Sequence, residues 1–125
     1  MAKDYKPLDL LSKEQLKEIR EKKDWINVVS ISLNWLQIIF SMALFFYFPN
    51  VLTFLLAVII IGSRQFALAV LAHDGAHNLL FSNEKINDFA SQWFCAFPLF
   101  SDNRPYRPYH LAHHRFTESE NDPDL

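Results

Sequence analysis

Residues 25–63 contain no Asp, Glu, Lys or Arg. Arg64 interrupts once, and the chain then stays uncharged until Asp74. The Pro49-Asn50 dipeptide, a helix-breaking turn signal, divides this stretch in two. As helices, residues 25–48 would measure about 36 Å and residues 51–72 about 33 Å. A bilayer core is about 30 Å thick and needs roughly 20 apolar residues to cross. Both segments are therefore predicted spans, joined by a tight hairpin. The alternative is a buried soluble hairpin. A chain of 125 residues has too little other material to cover two helices that are apolar all round. The expected fold class is an all-α membrane protein.

The flanks set the orientation. Residues 1–24 carry Lys3, Lys6, Lys13, Lys17, Arg20, Lys22 and Lys23, and the segment after the second span carries Lys85, Arg104, Arg107 and Arg115. Two spans put both flanks on one side, and the Lys/Arg bias makes that side cytoplasmic. The first apolar run begins too late, is too long and is followed too directly by a second to be a signal peptide. A net charge of −2 excludes a strongly basic nucleic-acid binder. A hydrophobic content of 50% with 2 Gly excludes a disordered or collagen-like chain. Cys95 is the lone cysteine, so neither an internal disulfide nor a multi-Cys zinc site can form. On the cytoplasmic side it stays reduced.

Residues 9–24 read as a charged, solvated helix with Asp9 or Ser12 as N-cap. In the first span Ser30, Asn34, Gln37 and Ser41 share a face, which points to helix packing more than to a substrate channel. Between Val51 and Ser82-Asn83 no Pro or turn cluster appears. The second helix is expected to run to about Leu80, with Gly75 its weak point and its last turns in the cytoplasm. Arg64, about 12 Å of helical rise before Ala72, is a candidate intramembrane polar site, with snorkelling to the headgroups as the plain alternative. Residues 84–97 place Ile86, Phe89, Ala90, Trp93, Phe94 and Phe97 on one face and Asn87, Asp88, Ser91 and Gln92 on the other. This is an amphipathic helix too short to span, predicted to lie in the cytoplasmic interface. Pro98 ends it, and Pro108 can open a further, His-bearing helix.

All five histidines fall in two clusters, His73 with His77, and His110 with His113 and His114. A spacing of i,i+4 puts His73 and His77 on one helix face, and His110 faces both His113 and His114. Imidazoles so spaced can grip one metal ion together, and neutral imidazole suits iron, zinc or copper. Five exceed the three or four protein ligands usual for one zinc, so a two-metal site fits better. Asp74, beside His73, can orient a ring through its N–H, and Asn78, beside His77, is a second such candidate.

The residues Gly62-Ser63-Arg64-Gln65-Phe66-Ala67-Leu68 leading into His73-Asp74-Gly75-Ala76-His77-Asn78-Leu79-Leu80-Phe81 resemble the first histidine box of bacterial membrane fatty acid desaturases. His110-Leu111-Ala112-His113-His114-Arg115-Phe116-Thr117, followed by Glu120-Asn121-Asp122-Pro123-Asp124-Leu125, is similar to their second box and its acidic sequel. The resemblance covers about residues 25–125, as the N-terminal part of such a domain after a cytoplasmic segment 1–24.

This resemblance implies a non-haem enzyme with two iron ions that uses dioxygen to remove two hydrogens from an unactivated acyl chain. His73, His77, His110, His113 and His114 would be iron ligands. The substrate would be a fatty acyl lipid or acyl thioester, and electrons would come from a separate ferredoxin or cytochrome b5-type donor. The location would be the bacterial inner membrane, multi-pass, with the metal site on the cytoplasmic side. The family's third histidine box is absent here. The expectation is a fragment, inactive alone, or chains that pool their ligands.

Three rivals remain. A hydroxylase or ketolase of the same superfamily would act on a carotenoid, alkane or sphingolipid. A membrane zinc protease would need Glu where Asp74 stands and has no use for the second cluster. A non-catalytic membrane metal-binding protein would account for the missing box.

Overall fold

The computed structural model describes residues 10–125, which form helices and turns with no strand among them. Helix α1 spans Lys13–Ile19, α2 Asp24–Tyr47, α3 Val51–Ala76, α4 Glu84–Ala90 and α5 Asn103–Phe116. Helices α2 and α3 are long and apolar enough to cross a membrane. The most apolar stretch of the helix ending at Tyr47 is 22% buried, and that of α3 only 11%. A soluble protein's core helix would be mostly covered, so these helices present their apolar surface outward. Asn50 turns the hairpin. Its side chain accepts from the Thr53 N–H at 3.0 Å, and the Thr53 hydroxyl accepts from the Asn50 N–H at 3.2 Å. This reciprocal cap satisfies two donors at the start of α3.

The two long helices pack through Ile31, Asn34, Ile38 and Ser41 of α2 and Thr53, Ala57, Leu68 and Ala72 of α3. Small side chains let the backbones approach, as is usual between membrane helices. Of the polar stripe read from the sequence, Asn34 and Ser41 are buried, while Gln37 is exposed. Asn34 donates to the Ser30 carbonyl, Gln37 to that of Leu33 and Ser41 to that of Ile38. The stripe thus bonds its own helix, as packing requires.

Four expectations are corrected. The charged N-terminal helix covers only Lys13–Ile19, opened by a capping box between Ser12 and Gln15. The alternative cap Asp9, and residues 1–9 generally, lie outside the described residues. Helix α3 stops at Ala76 instead of Leu80, because Asn78 takes a left-handed conformation (φ 57°). The turn that follows is held from elsewhere. Lys22 donates to the Asn78 and Phe81 carbonyls, Asn27 donates to that of Leu80 at 2.6 Å, and Asp24 accepts from the N–H and hydroxyl of Ser82.

The helix read over 84–97 is regular only to Ala90, then widens into a π-type turn over Ser91–Ala96 and tightens into a 3₁₀ turn over Phe97–Leu99. Its apolar face (Ile86, Phe89, Trp93, Phe94) is exposed, as drawn from the pattern, but Ala90 is buried. The face carrying Asn87, Ser91 and Gln92 is buried against the rest of the chain. The His-bearing helix begins at Asn103 and not at Pro108. The Asp102 carboxylate caps the Arg104 N–H at 2.9 Å, and Pro105 sits in the first turn, where its missing N–H costs nothing. Pro108 lies inside the helix.

Candidate metal centre

The end of α3 is unusually well tied down. Asn87, fully buried on α4, accepts from the N–H groups of Leu80 and Phe81 at 3.1 and 3.4 Å. It donates to the Gly75 carbonyl at 2.9 Å and to the Asn78 side chain at 3.1 Å. Arg107 of α5 also donates to the Gly75 carbonyl, at 3.0 Å, while pairing with Asp88. Asn103 donates to the Ala72 carbonyl at 2.9 Å. The last carbonyls of a helix lack partners within it. Gly75 is one of these, and Asn87 and Arg107 add bonds to its carbonyl from α4 and α5, which with the Asn103 bond to Ala72 fix α5 across the end of α3.

That crossing brings the two histidine clusters together. One nitrogen each of His73, His77, His110 and His114 lie within 4.8 Å of one another. The Nε2 atoms of His77 and His110 are 3.0 Å apart, and those of His110 and His114 are 2.9 Å apart. His73 packs at ring-centroid distances of 4.8 Å from His77 and 4.6 Å from His110. Tyr106, one turn before His110, stacks on its ring at 5.0 Å and 13°. A tetrahedral site with metal–nitrogen bonds of about 2.0–2.1 Å sets neighbouring nitrogens roughly 3.4 Å apart. The cluster is close to that spacing. Three converging Nε2 atoms cannot all be satisfied by one another's protons, whereas one cation satisfies them all.

The electrostatics keep the set ready for a cation. Burial, then the nearby His73 and His114, hold His77 below its ordinary value of 6.5, against an opposing pull from Asp74. Burial, with His73, His114, His77 and His113 around it, does the same for His110. Both rings therefore stay neutral at physiological pH, with lone pairs available.

His113 stands apart. It was expected to share a face with His110, but the i,i+4 partner His114 meets His110 while the His113 ring lies 6.4 Å away. Its Nδ1 is 2.8 Å from Asp122 and 3.1 Å from Asp124. Asp122 holds its pKa above the ordinary value, chiefly by that hydrogen bond. Asp74 touches His73 only loosely, Oδ1 to Nδ1 at 3.4 Å. Asn78 bonds Asn87 rather than a histidine. Arg64, about 13 Å of helical rise before His73, reaches only its neighbour Ser63, at 3.4 Å. No sequence pattern marks Asn87, Asn103, Arg107 or Asp122 as a site residue. Only Tyr106, four residues before His110, carried a spacing signal.

A family model described as fatty acid desaturase matches residues 49–125. Dihydrorhizobitoxine desaturase of Bradyrhizobium elkanii is 42% identical over 72 residues, covering 56% of this chain and 20% of that protein. The omega-3 fatty acid desaturase fat-1 of Caenorhabditis elegans is 38% identical over 79 residues, covering 62% of this chain and 19% of that protein. The matched region thus spans about a fifth of the length of each relative. No solved structure gives a significant match.

Proposed function

This chain belongs to the fatty acid desaturase family, and on that premise we propose that its histidines hold non-haem iron for the oxygen-dependent desaturation of a fatty acyl chain. The observation that carries the reading is the convergence of four histidine nitrogens, from two clusters more than 30 residues apart, within 4.8 Å. The donor set fits the metal. It is nitrogen-rich and held by two helices whose mutual position is fixed by Asn87, Asn103 and Arg107.

Iron with dioxygen supplies an oxidant strong enough for an unactivated C–H bond, which offers the protein no polar handle of its own. The chain's own residues position and shield. Helices α2 and α3 anchor the site to the bilayer where acyl chains reside. The exposed Ile86, Phe89, Trp93 and Phe94 lie in the interface beside it. Tyr106 and the neighbouring rings hold the His110 imidazole in one orientation.

Two irons need more donors than five histidines offer in the family manner, so further ligands join from outside these residues. The Lys/Arg flanks support a cytoplasmic position for the site, and the same reading makes the protein multi-pass and of a bacterial inner membrane. Electrons come from a separate ferredoxin or cytochrome b5-type donor. The two relatives are named for different substrates, so the acyl class and its carrier are the first things to determine.

The test is expression of the complete reading frame in a host whose acyl lipids are analysed by gas chromatography–mass spectrometry, beside His77→Ala. A new double bond, absent in the variant, is expected. A hydroxyl group would transfer the chain to the hydroxylase reading, and no oxygen-dependent product would overturn enzymatic function in favour of metal binding alone.

A further inference from the structure

Among the described residues, Asp122 is the only buried side chain that carries a formal charge. Its carboxylate accepts from the Glu118 N–H at 3.1 Å and the Asp124 N–H at 3.0 Å, and it faces His113 Nδ1 at 2.8 Å. An ionised carboxylate can only accept. The proton in the contact with His113 therefore sits on Nδ1. Asp124 Oδ2 approaches the same Nδ1 at 3.1 Å. Tyr109, one helical turn before His113, donates its hydroxyl to Asp124 and, at 3.2 Å, to the Pro123 carbonyl. The segment 118–125 is thus folded back and fastened to the face of α5 that carries Tyr109 and His113. The opposite assignment of α5 is clear, since His110 and His114 turn to α3.

We propose that Asp122 is a positioning residue for His113: it accepts the hydrogen bond from Nδ1–H, fixes the ring's tautomer and orientation, and leaves Nε2 as the nitrogen presented to metal. This rests on the reading that the histidines hold iron. A carboxylate behind a metal-binding imidazole is a general way to set the tautomer and raise ligand basicity. A separate cation held by His113, Asp122 and Asp124 is the competing use of the same atoms. It is disfavoured because Asp122 already accepts two backbone N–H groups, and a cation there would have to displace the Nδ1 proton.

The test is histidine side-chain ¹⁵N NMR of the detergent-solubilised chain, without metal and through a zinc(II) titration. Without metal, His113 is expected to carry its proton on Nδ1. Asp122→Asn retains an acceptor oxygen and keeps that tautomer, whereas Asp122→Ala mixes the two. In the titration, the zinc concentration at which His113 Nε2 shifts should rise about 10–100-fold in Asp122→Ala and recover in Asp122→Asn. Should Asp122→Ala fail to fold, Tyr109→Phe, which loosens Asp124 and leaves the backbone contacts of Asp122 in place, is expected to show a smaller shift in the same direction.

An Nε2 proton on His113 in the unmodified chain would overturn the proposal. So would an unaltered zinc midpoint in a folded Asp122→Ala. Loss of the Nδ1 proton on zinc addition would replace it with the separate cation site. If no histidine responds to zinc, the iron reading fails, while the metal-free spectrum still decides the tautomer.

Discussion

Gly75 lies between His73 and His77, and a Cβ built there would meet Ser91 Cβ at 2.2 Å and Oγ at 2.8 Å. From sequence, Gly75 reads only as a weak point in a helix. Its reason is the close passage of the Ser91–Ala96 turn, which no local pattern announces. Gly75→Ala should therefore destabilise the chain by about 1–3 kcal/mol through overpacking, read as a fall in thermal midpoint. Adding Ser91→Gly removes the obstructing atoms and should recover most of that loss, leaving a tight contact with Leu80 at 3.3 Å. Asn87 is similarly opaque in sequence, where it occupies the polar face of an amphipathic repeat. In the fold it is fully buried and serves the backbone groups of Gly75, Leu80 and Phe81. Asn87→Ala leaves the N–H groups of Leu80 and Phe81 without their acceptor, at about 1–3 kcal/mol, while the Gly75 carbonyl keeps Arg107. Because Asn87 joins α4 to the turn after His77, the same variant should weaken cobalt(II) binding, whereas an equally destabilising change at the hairpin tip should not.

At the level of elements, periodicity gave the long helices correctly and misjudged their ends. α3 ends early because Lys22 and Asn27, more than 50 residues back along the chain, capture the next carbonyls, and Asn87 of the following helix captures the amides. α5 begins early because Asp102 caps it and tolerates Pro105 in its first turn. The meeting of α3 and α5 also carries opposing titrations. His77 and His110 have folded values below 6.5, so the unfolded chain binds more protons as pH falls through 6.5. Their contribution to stability is therefore lost on acidification from there. His113 has a folded value above 6.5, so its pairing with Asp122 stabilises fully below 6.5 and fades as pH rises through that raised value. Thermal midpoints of the metal-free chain from pH 5 to 8 should rise with pH on the acid side, less steeply in His110→Gln. On the alkaline side, His113→Gln should flatten the decline. Identical pH profiles for all three proteins would contradict these assignments. Cys95 takes no part in this range, since burial pushes its thiol up to about 12.

For the whole molecule, the charge-free stretch was enough to foresee two apolar helices, and the spacing of five histidines was enough to foresee a cluster. What the sequence could not show is that the π-type turn and α5 cross the end of α3 so that four rings converge and the fifth turns to the acidic tail. That arrangement depends on tertiary capping, which leaves no periodic trace. If the convergence serves a metal, a bound ion should also stabilise the fold, by about 2.7 kcal/mol at a free concentration one hundred times Kd, and chelation should reverse the effect.

The most direct measurement is an anaerobic titration of the detergent-solubilised chain with cobalt(II), followed by visible absorption, for the unmodified protein and for His77→Ala, His110→Ala and Gln37→Ala. Saturable binding with a nitrogen-ligated spectrum is expected, weakened strongly by either histidine change and untouched at Gln37, which lies exposed on α2. Binding that ignores the loss of His77 and His110, or no saturable binding at all, would contradict a metal centre built by the meeting of α3 and α5.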